Sequence, residues 1–136
     1  METGLDLLRQ SAPLLLKGAG YTILLSVIGM SVGVALGFVL ALMRLSRSPL
    51  LRWPAAVYVS AFRGTPLLVQ LFLFYYGLPQ VLTFLVAING ITATILGLTL
   101  HFSAYMAESI RAAIVGIDRS QTEAALSIGM TRAQLM

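Results

Sequence analysis

Polar side chains interrupt the last of the long apolar runs at every second position. They are Thr99, His101, Ser103 and Tyr105. An ionisable side chain in a membrane costs free energy, so it usually faces a cavity or a partner. His101 therefore predicts one of two arrangements. Either it lines a solute path with the other three side chains, or it is a neutral histidine hydrogen-bonded to another helix.

A second pair of polar residues follows at the end of the same run. Glu108 and Arg111 are three residues apart, which places them side by side on a helix. Opposite charges at this spacing partly neutralise one another where full hydration is lost. We predict a structural ion pair, and a gate or a contact to a solute is the alternative.

The sequence offers little for catalysis. His101 is the only histidine, and there is no cysteine to act as a nucleophile or a metal-binding thiolate. The chain contains no H-E-x-x-H or G-x-S-x-G pattern, and no G-x-x-x-x-G-K-[ST] loop that would hold the phosphates of ATP. We therefore expect no enzyme activity, no metal and no cofactor in this chain. A membrane enzyme subunit that depends on His101 is the remaining alternative.

Composition indicates a membrane protein. Hydrophobic residues make up 58% of the chain and charged residues 10%, against about a quarter charged in soluble domains. The net charge of +4 comes from four arginines with no acid among them: Arg44, Arg47, Arg52 and Arg63. A basic loop between apolar runs is typical of the cytoplasmic side. The flanking apolar runs argue against nucleic-acid binding, and Arg63 is expected to be an interface anchor.

About three helices are expected to span the membrane, since about 20 apolar residues cross its hydrocarbon core. The predicted spans are 18–43, 55–78 and 91–113. Residues 1–17 form an external segment with a short amphipathic stretch broken at Pro13. With the basic loop inside, the N-terminus lies outside. The second span should kink near 64–66, where Thr65 and Pro66 suit an N-cap and first helical position.

The first predicted span carries glycine at every fourth position. Gly29, Gly33 and Gly37 therefore lie on one face of a helix. Bare glycine surfaces allow another helix to approach closely in lipid. We predict a helix-contact face here, either within the subunit or between subunits.

The segment 118–136 is polar and is expected to be cytoplasmic. Glu123, Ala124 and Ala125 favour a helix, and Gly129 suits its C-terminal cap. Thr131 suits the N-cap of a second helix that would begin at Arg132. The sequence therefore predicts a helix–turn–helix lying against the membrane.

Three stretches together resemble the permease subunits of bacterial ABC importers for polar amino acids. These are F-R-G-T-P-L-L-V-Q at 62–70, A-Y-M-A-E-S-I-R at 104–111, and E-A-A-L-S-I-G at 123–129. K-G-A-G-Y-T at 17–22 and S-I-G-M-T at 127–131 are most similar to L-cystine permeases. The histidine at 101 and the serine at 120 depart from the common family pattern.

The resemblance implies an all-α membrane fold, the type I importer transmembrane domain, over 18–136. It also implies a second permease subunit, a separate ABC ATPase, an extracytoplasmic solute-binding protein and a place in the bacterial cytoplasmic membrane. Glu123, Ala124, Ala125 and Gly129 match the positions that contact the ATPase. The family pattern continues beyond 136 with further spans, so the chain is expected to be C-terminally truncated.

Two other functions fit the same residues. A small membrane regulator could use the glycine face to associate with other helices, and it would need no ATPase. A permease fragment without transport activity is the second. The importer hypothesis differs from both because it requires an intact Glu123 and Gly129.

Overall fold

The computed structural model describes residues 4–82, 89–131 and 134, and these contain helices but no strand. Six α-helices follow one another, with a π-helical turn at Leu73–Gly77 between the third and the fourth. They are α1 (Gly4–Leu45), α2 (Pro49–Gly64), α3 (Leu67–Phe72), α4 (Leu78–Val81), α5 (Gly90–Val115) and α6 (Arg119–Ser127). The all-α prediction is confirmed for the described residues.

Helix α1 is longer than the sequence suggests. It is continuous over 42 residues and includes Pro13, where a break was expected. One proline removes a single backbone hydrogen bond, and the apolar residues on both sides continue the helix. At 1.5 Å per residue α1 is about 63 Å long, roughly twice the thickness of the hydrocarbon core. The predicted external segment and first span thus share one helix over the described residues.

The glycine face of α1 packs against α5. A Cβ atom on Gly29 would lie 2.9 Å from the Cβ of Leu98, and one on Gly37 would lie 2.8 Å from the Cβ of Met106. These distances are shorter than real Cβ contacts, so only glycine permits this approach. The predicted helix-contact face is confirmed, and its contact lies within the subunit.

The same contacts show that α1 and α5 run parallel. Moving from Gly29 to Gly37 along α1 moves the partner from Leu98 to Met106 along α5. Two parallel spans require the intervening chain to cross back. The candidates are α2 and the segment Leu67–Val81, which meet at a bend of 105°. Among the described residues, two helices, α1 and α5, are long and apolar enough to span on their own. The bent pair, taken as one span, makes a third.

The bend lies where the sequence predicts a kink. Pro66, rather than Thr65, is the N-cap of α3, since its carbonyl accepts from the amide of Gln70 at 3.2 Å. Thr65 instead donates its hydroxyl to the carbonyl of Ala61 at 2.9 Å. The predicted cap is therefore wrong by one residue, because the threonine closes the preceding helix.

A small core joins α1, α2 and α5 near the end of α1. Its buried members are Leu40, Ala41, Ala55, Val59 and Ala107. Three of the five are alanine, so the helices approach closely here as well. Most large apolar side chains elsewhere are exposed, as expected for helices that face lipid.

Candidate functional site

The predicted ion pair of Glu108 and Arg111 forms. The Oε1 atom of Glu108 accepts from Nη2 of Arg111 at 2.5 Å and from its Nε at 3.2 Å. The Oε2 atom pairs with Arg44 at the end of α1 and lies 3.7 Å from Nη1 of Arg63. One carboxylate therefore holds three helices together, and the charges of three arginines exceed that of the glutamate by two.

Arg63 lies against α5. Its Cζ atom lies 5.5 Å from the centre of the Tyr105 ring, within the range of a cation–π contact. Its side chain is 42% exposed. The guanidinium contacts Glu108 and Tyr105, and the expected role of Arg63 as an interface anchor stays a prediction. The spacing along the chain could not show these contacts, because the partners are more than forty residues away.

Gln70 stabilises the bend between α2 and α3, a role that the sequence did not predict. It is 5% exposed. Its Nε2 atom lies 2.9 Å from the carbonyl of Phe62, 3.1 Å from that of Thr65 and 2.6 Å from the Thr65 hydroxyl. The side chain thus connects both sides of the break between α2 and α3. The available signal was a lone amide in an apolar run, four residues after the proline of the bend.

His101 completes this network from α5. Its Nδ1 atom lies 3.1 Å from Oε1 of Gln70. Because the amide group of Gln70 already faces oxygen acceptors, its Oε1 is the acceptor here and His101 donates from Nδ1. The His101 ring also lies 4.9 Å from the ring of Tyr105. This geometry is the arrangement of a histidine hydrogen-bonded to another helix.

The four side chains predicted to line a path divide between two faces of α5. Thr99 and Ser103 are buried, and their backbone carbonyls lie beneath the glycines of α1. Ser103 also hydrogen-bonds to the hydroxyl of Tyr58 at 2.9 Å and to the carbonyl of Leu100 at 2.8 Å. His101 and Tyr105 lie on the opposite side, toward α3 and Arg63.

Helix α6 stands apart from the others and packs against none of the other described helices. Asp118 is its N-cap, and its Oδ1 atom accepts from the amide of Ser120 at 2.9 Å. This hydrogen bond holds the pKa of Asp118 below its ordinary value. Glu123 and Ala124 are exposed, and Ala125 is partly exposed.

Gly129 ends α6 in a Schellman motif. Its φ angle is +84°, a left-handed conformation that favours glycine. The amide of Gly129 donates to the carbonyl of Leu126 at 3.0 Å, and the amide of Met130 donates to that of Ala125 at 3.1 Å. The C-cap itself is Ile128, one residue before the predicted position, and Gly129 makes the turn that follows it.

At the predicted start of a second helix, the structure describes only the contacts between Thr131 and Gln134. The amide and hydroxyl of Thr131 donate to Oε1 of Gln134 at 2.8 and 2.9 Å. The amide contact is the reciprocal half of a capping box. The helix predicted to begin at Arg132 lies outside the described residues.

Exposed apolar side chains lie at both ends of α6, with Ile117 before its first turn and Leu126 and Ile128 at its last. Ile117 is 52% exposed, Leu126 47% and Ile128 79%. Apolar side chains next to a rigid turn and a row of small residues are suited to a groove on another protein. The geometry of α6 and of the turn after it comes from its own caps.

Residues 33–136 match the family described as the binding-protein-dependent transport system inner membrane component. The chain belongs to this family. A member named as a probable amino-acid ABC transporter permease, PatM of Vibrio harveyi, is 56% identical over 124 residues, or 91% of this chain and 56% of PatM.

The chain is also similar to a second permease and to a solved transporter structure. The L-cystine transport system permease TcyB of Bacillus subtilis is 42% identical over 93% of this chain and 53% of its own length. A crystal structure of an amino acid ABC transporter with histidines matches with a TM-score of 0.85 at 40% identity. That match covers 98% of this chain and 61% of the other, and it confirms the predicted fold class. The chain spans about half the length of the curated relatives it matches.

Proposed function

We propose that this chain acts in a permease subunit of an ATP-driven importer that moves a polar amino acid across the bacterial cytoplasmic membrane. ATP hydrolysis resides on a separate ABC ATPase, and an extracytoplasmic binding protein delivers the solute. A second permease subunit, identical or homologous, completes the path. The observation that carries the proposal is the isolated, capped helix α6, whose Glu123, Ala124 and Ala125 are accessible to a partner.

The coupling step follows from how α6 is held. Asp118 caps one end and Gly129 turns the chain at the other, so the helix can move as a unit. The small side chains of Ala124 and Ala125 allow close docking in a groove, and Glu123 offers a carboxylate to donors of the ATPase. Movement of the ATPases on binding ATP would then displace α6 and tilt the spans between two states.

The proposed orientation places the N-terminus outside. The parallel helices α1 and α5 both end on the side that carries Arg44 and Arg111, and α6 follows α5 directly. A basic loop next to a membrane helix favours the cytoplasmic side. This arrangement puts α6 on the side where ATP is available.

The solute path is proposed to run along the side of α5 that carries His101 and Tyr105. Their polar atoms lie outside the α1–α5 contact, whereas Thr99 and Ser103 are buried and serve packing in this subunit. The relatives carry names for different solutes at nearly equal identity: L-cystine at 42%, arginine at 40% and octopine at 40%. L-Cystine is the first solute to test, because of the stretches at 17–22 and 127–131.

Affinity purification of the assembled transporter from its native membrane tests the coupling role. Glu123→Lys should abolish co-purification of the ATPase and uptake of the amino acid while leaving membrane insertion intact. Gln121→Lys is the control, since it places the same lysine side chain two residues away on the same exposed helix. Normal uptake by the Glu123→Lys variant would contradict the proposal.

The competing regulator hypothesis is weakened by the fold. It needs the glycine face of α1 for association with another protein, but α5 of the same chain covers that face.

A further inference from the structure

A polar pocket of about 410 Å³ lies between α1, α2 and α5, near the end of α1. Its lining includes the guanidinium groups of Arg44 and Arg63, the carboxylate of Glu108, the exposed hydroxyl of Ser60 and the ring of Tyr105. Of these residues, only Tyr105 also lies on the proposed solute path.

The pocket favours an anion. Both carboxylate oxygens of Glu108 are already occupied, one by Arg111 and the other by Arg44. Arg63 approaches Glu108 only to 3.7 Å, its other contact is with the face of the Tyr105 ring, and 42% of its side chain is exposed. Its guanidinium therefore retains donors for a further acceptor, and two positive charges remain uncompensated by the glutamate. Planar guanidinium groups bind phosphate oxygens in pairs.

The surroundings favour a lipid as the source of that anion. Helix α2 contributes Ser60 and Arg63 to the pocket, and the same helix exposes large apolar side chains: Leu50 is 84% exposed, Trp53 73% and Val57 50%. Tryptophan on an amphipathic helix is typical of the membrane–water interface. A headgroup in the pocket could therefore have its acyl chains lying along the apolar side of α2.

We propose that this pocket binds the phosphate group of an anionic phospholipid, held by Arg63 and Arg44. Glu108 leaves the Arg63 guanidinium without a close acceptor, and the phosphate supplies one. Bound in this way, the lipid would join α2 to the ends of α1 and α5. The proposal requires only that the chain lies in a membrane, so its failure would leave the transport function untouched.

Native mass spectrometry of the assembled permease, titrated with phosphatidylglycerol in mild detergent, tests the site. Arg63→Gln should weaken retention of phosphatidylglycerol about fivefold, the effect of losing one arginine near an anionic headgroup. Arg47→Gln is the matched control, because it removes the same charge from the same basic loop outside the pocket. It should change retention less than twofold. Equal weakening by both variants would overturn the proposal in favour of a diffuse field.

A second variant keeps every charge. Ser60→Phe places a ring in the pocket from an exposed position, so the helix packing is preserved. It should weaken phosphatidylglycerol retention as strongly as Arg63→Gln, and unchanged retention would count against the site.

Competition identifies the source of the anion. Inorganic phosphate or L-cystine that displaces phosphatidylglycerol at millimolar concentration would overturn the lipid assignment and indicate a soluble anion or the transported solute. Retention that resists both competitors supports the lipid.

Discussion

The α1–α5 contact and helix α6 are held in opposite ways. Between α1 and α5 the backbones meet along three glycines, and an added methyl group would come closer than van der Waals contact. Helix α6 packs against no other described helix, and its ends are defined by Asp118 and Gly129. The contrast shows that the chain combines a closely packed scaffold with a preformed element for a partner.

The two regions should therefore respond differently to substitution. Damage to the scaffold should destabilise the folded protein, because tightly packed helices cannot relax around an added side chain. Damage to α6 should leave the folded protein in the membrane and remove only its interaction. Each prediction below separates the two regions by measuring stability and partner binding on the same variant.

The largest effect is expected from Gly37→Leu. A Cβ at this position would lie 2.8 Å from the Cβ of Met106 and 2.9 Å from the carbonyl of Ser103, so α1 and α5 must separate. Overpacking of this kind costs about 1–3 kcal/mol or more. The melting temperature in detergent should fall sharply, and less protein should accumulate in the membrane. Gly20→Leu is the control, since nothing lies within 4 Å of that position. Equal destabilisation by the two variants would show that the close contact is absent.

Glu108→Gln should have the next largest effect. It removes the charge that holds Arg44 and Arg111 and leaves three guanidinium groups near one another. The cluster is partly exposed, which limits the expected loss of stability to about 1–2 kcal/mol. Thermal unfolding in detergent at two salt concentrations is the measurement. High salt should partly rescue the variant by screening the arginines, and a variant as stable as the wild type at low salt would contradict this role.

Gly129→Val should act on α6 alone. A β-branched residue at φ +84° is strained by about 1–3 kcal/mol, so the Schellman turn would open. The melting temperature of the helical bundle should stay within a degree or two, while ATPase co-purification falls. Gly129→Asn is the matched variant, because asparagine tolerates the left-handed region. Similar losses in both variants would indicate that the turn conformation is irrelevant.

The smallest effect concerns pH. The pKa of Asp118 is lowered in the folded state, because its carboxylate accepts from the amide of Ser120. The ionised cap therefore stabilises α6 at pH values above the ordinary aspartate pKa, and this contribution is lost as pH falls through the lowered value. Hydrogen exchange of the α6 amides should show decreasing protection at acid pH. In Asp118→Asn this decrease should disappear, since asparagine caps without a charge. A decrease of the same size in that variant would exclude Asp118 as its cause.

Features that depend only on residues close together in the sequence could be predicted from local patterns. The four-residue spacing of Gly29, Gly33 and Gly37 was enough to predict a contact face, and the position of Gly129 after a helix-forming stretch was enough to predict the end of that helix to within one residue. In both cases the relevant geometry lies within one helix or one turn.

Contacts between distant segments could not be predicted in this way. The pairing of Arg44 with Glu108 joins residues 64 positions apart, and the hydrogen bond of Gln70 with His101 joins residues 31 apart. The sequence predicts a kink but not its angle of 105°, and it does not show that Gln70 hydrogen-bonds across the break to Phe62 and Thr65. The partner of the glycine face is equally distant in sequence, since Gly29 and Leu98 are 69 positions apart.

Site-directed cross-linking tests the central claim most directly. The chain has no cysteine, so Ala124→Cys introduces a unique thiol on the exposed side of α6. Ser48→Cys, also exposed and on the same proposed side of the membrane, is the control. After labelling with a maleimide photocross-linker in native membranes, we predict a covalent product with the ABC ATPase from position 124 and none from position 48. A folded, labelled protein that yields no ATPase product from position 124 would contradict the coupling role of α6.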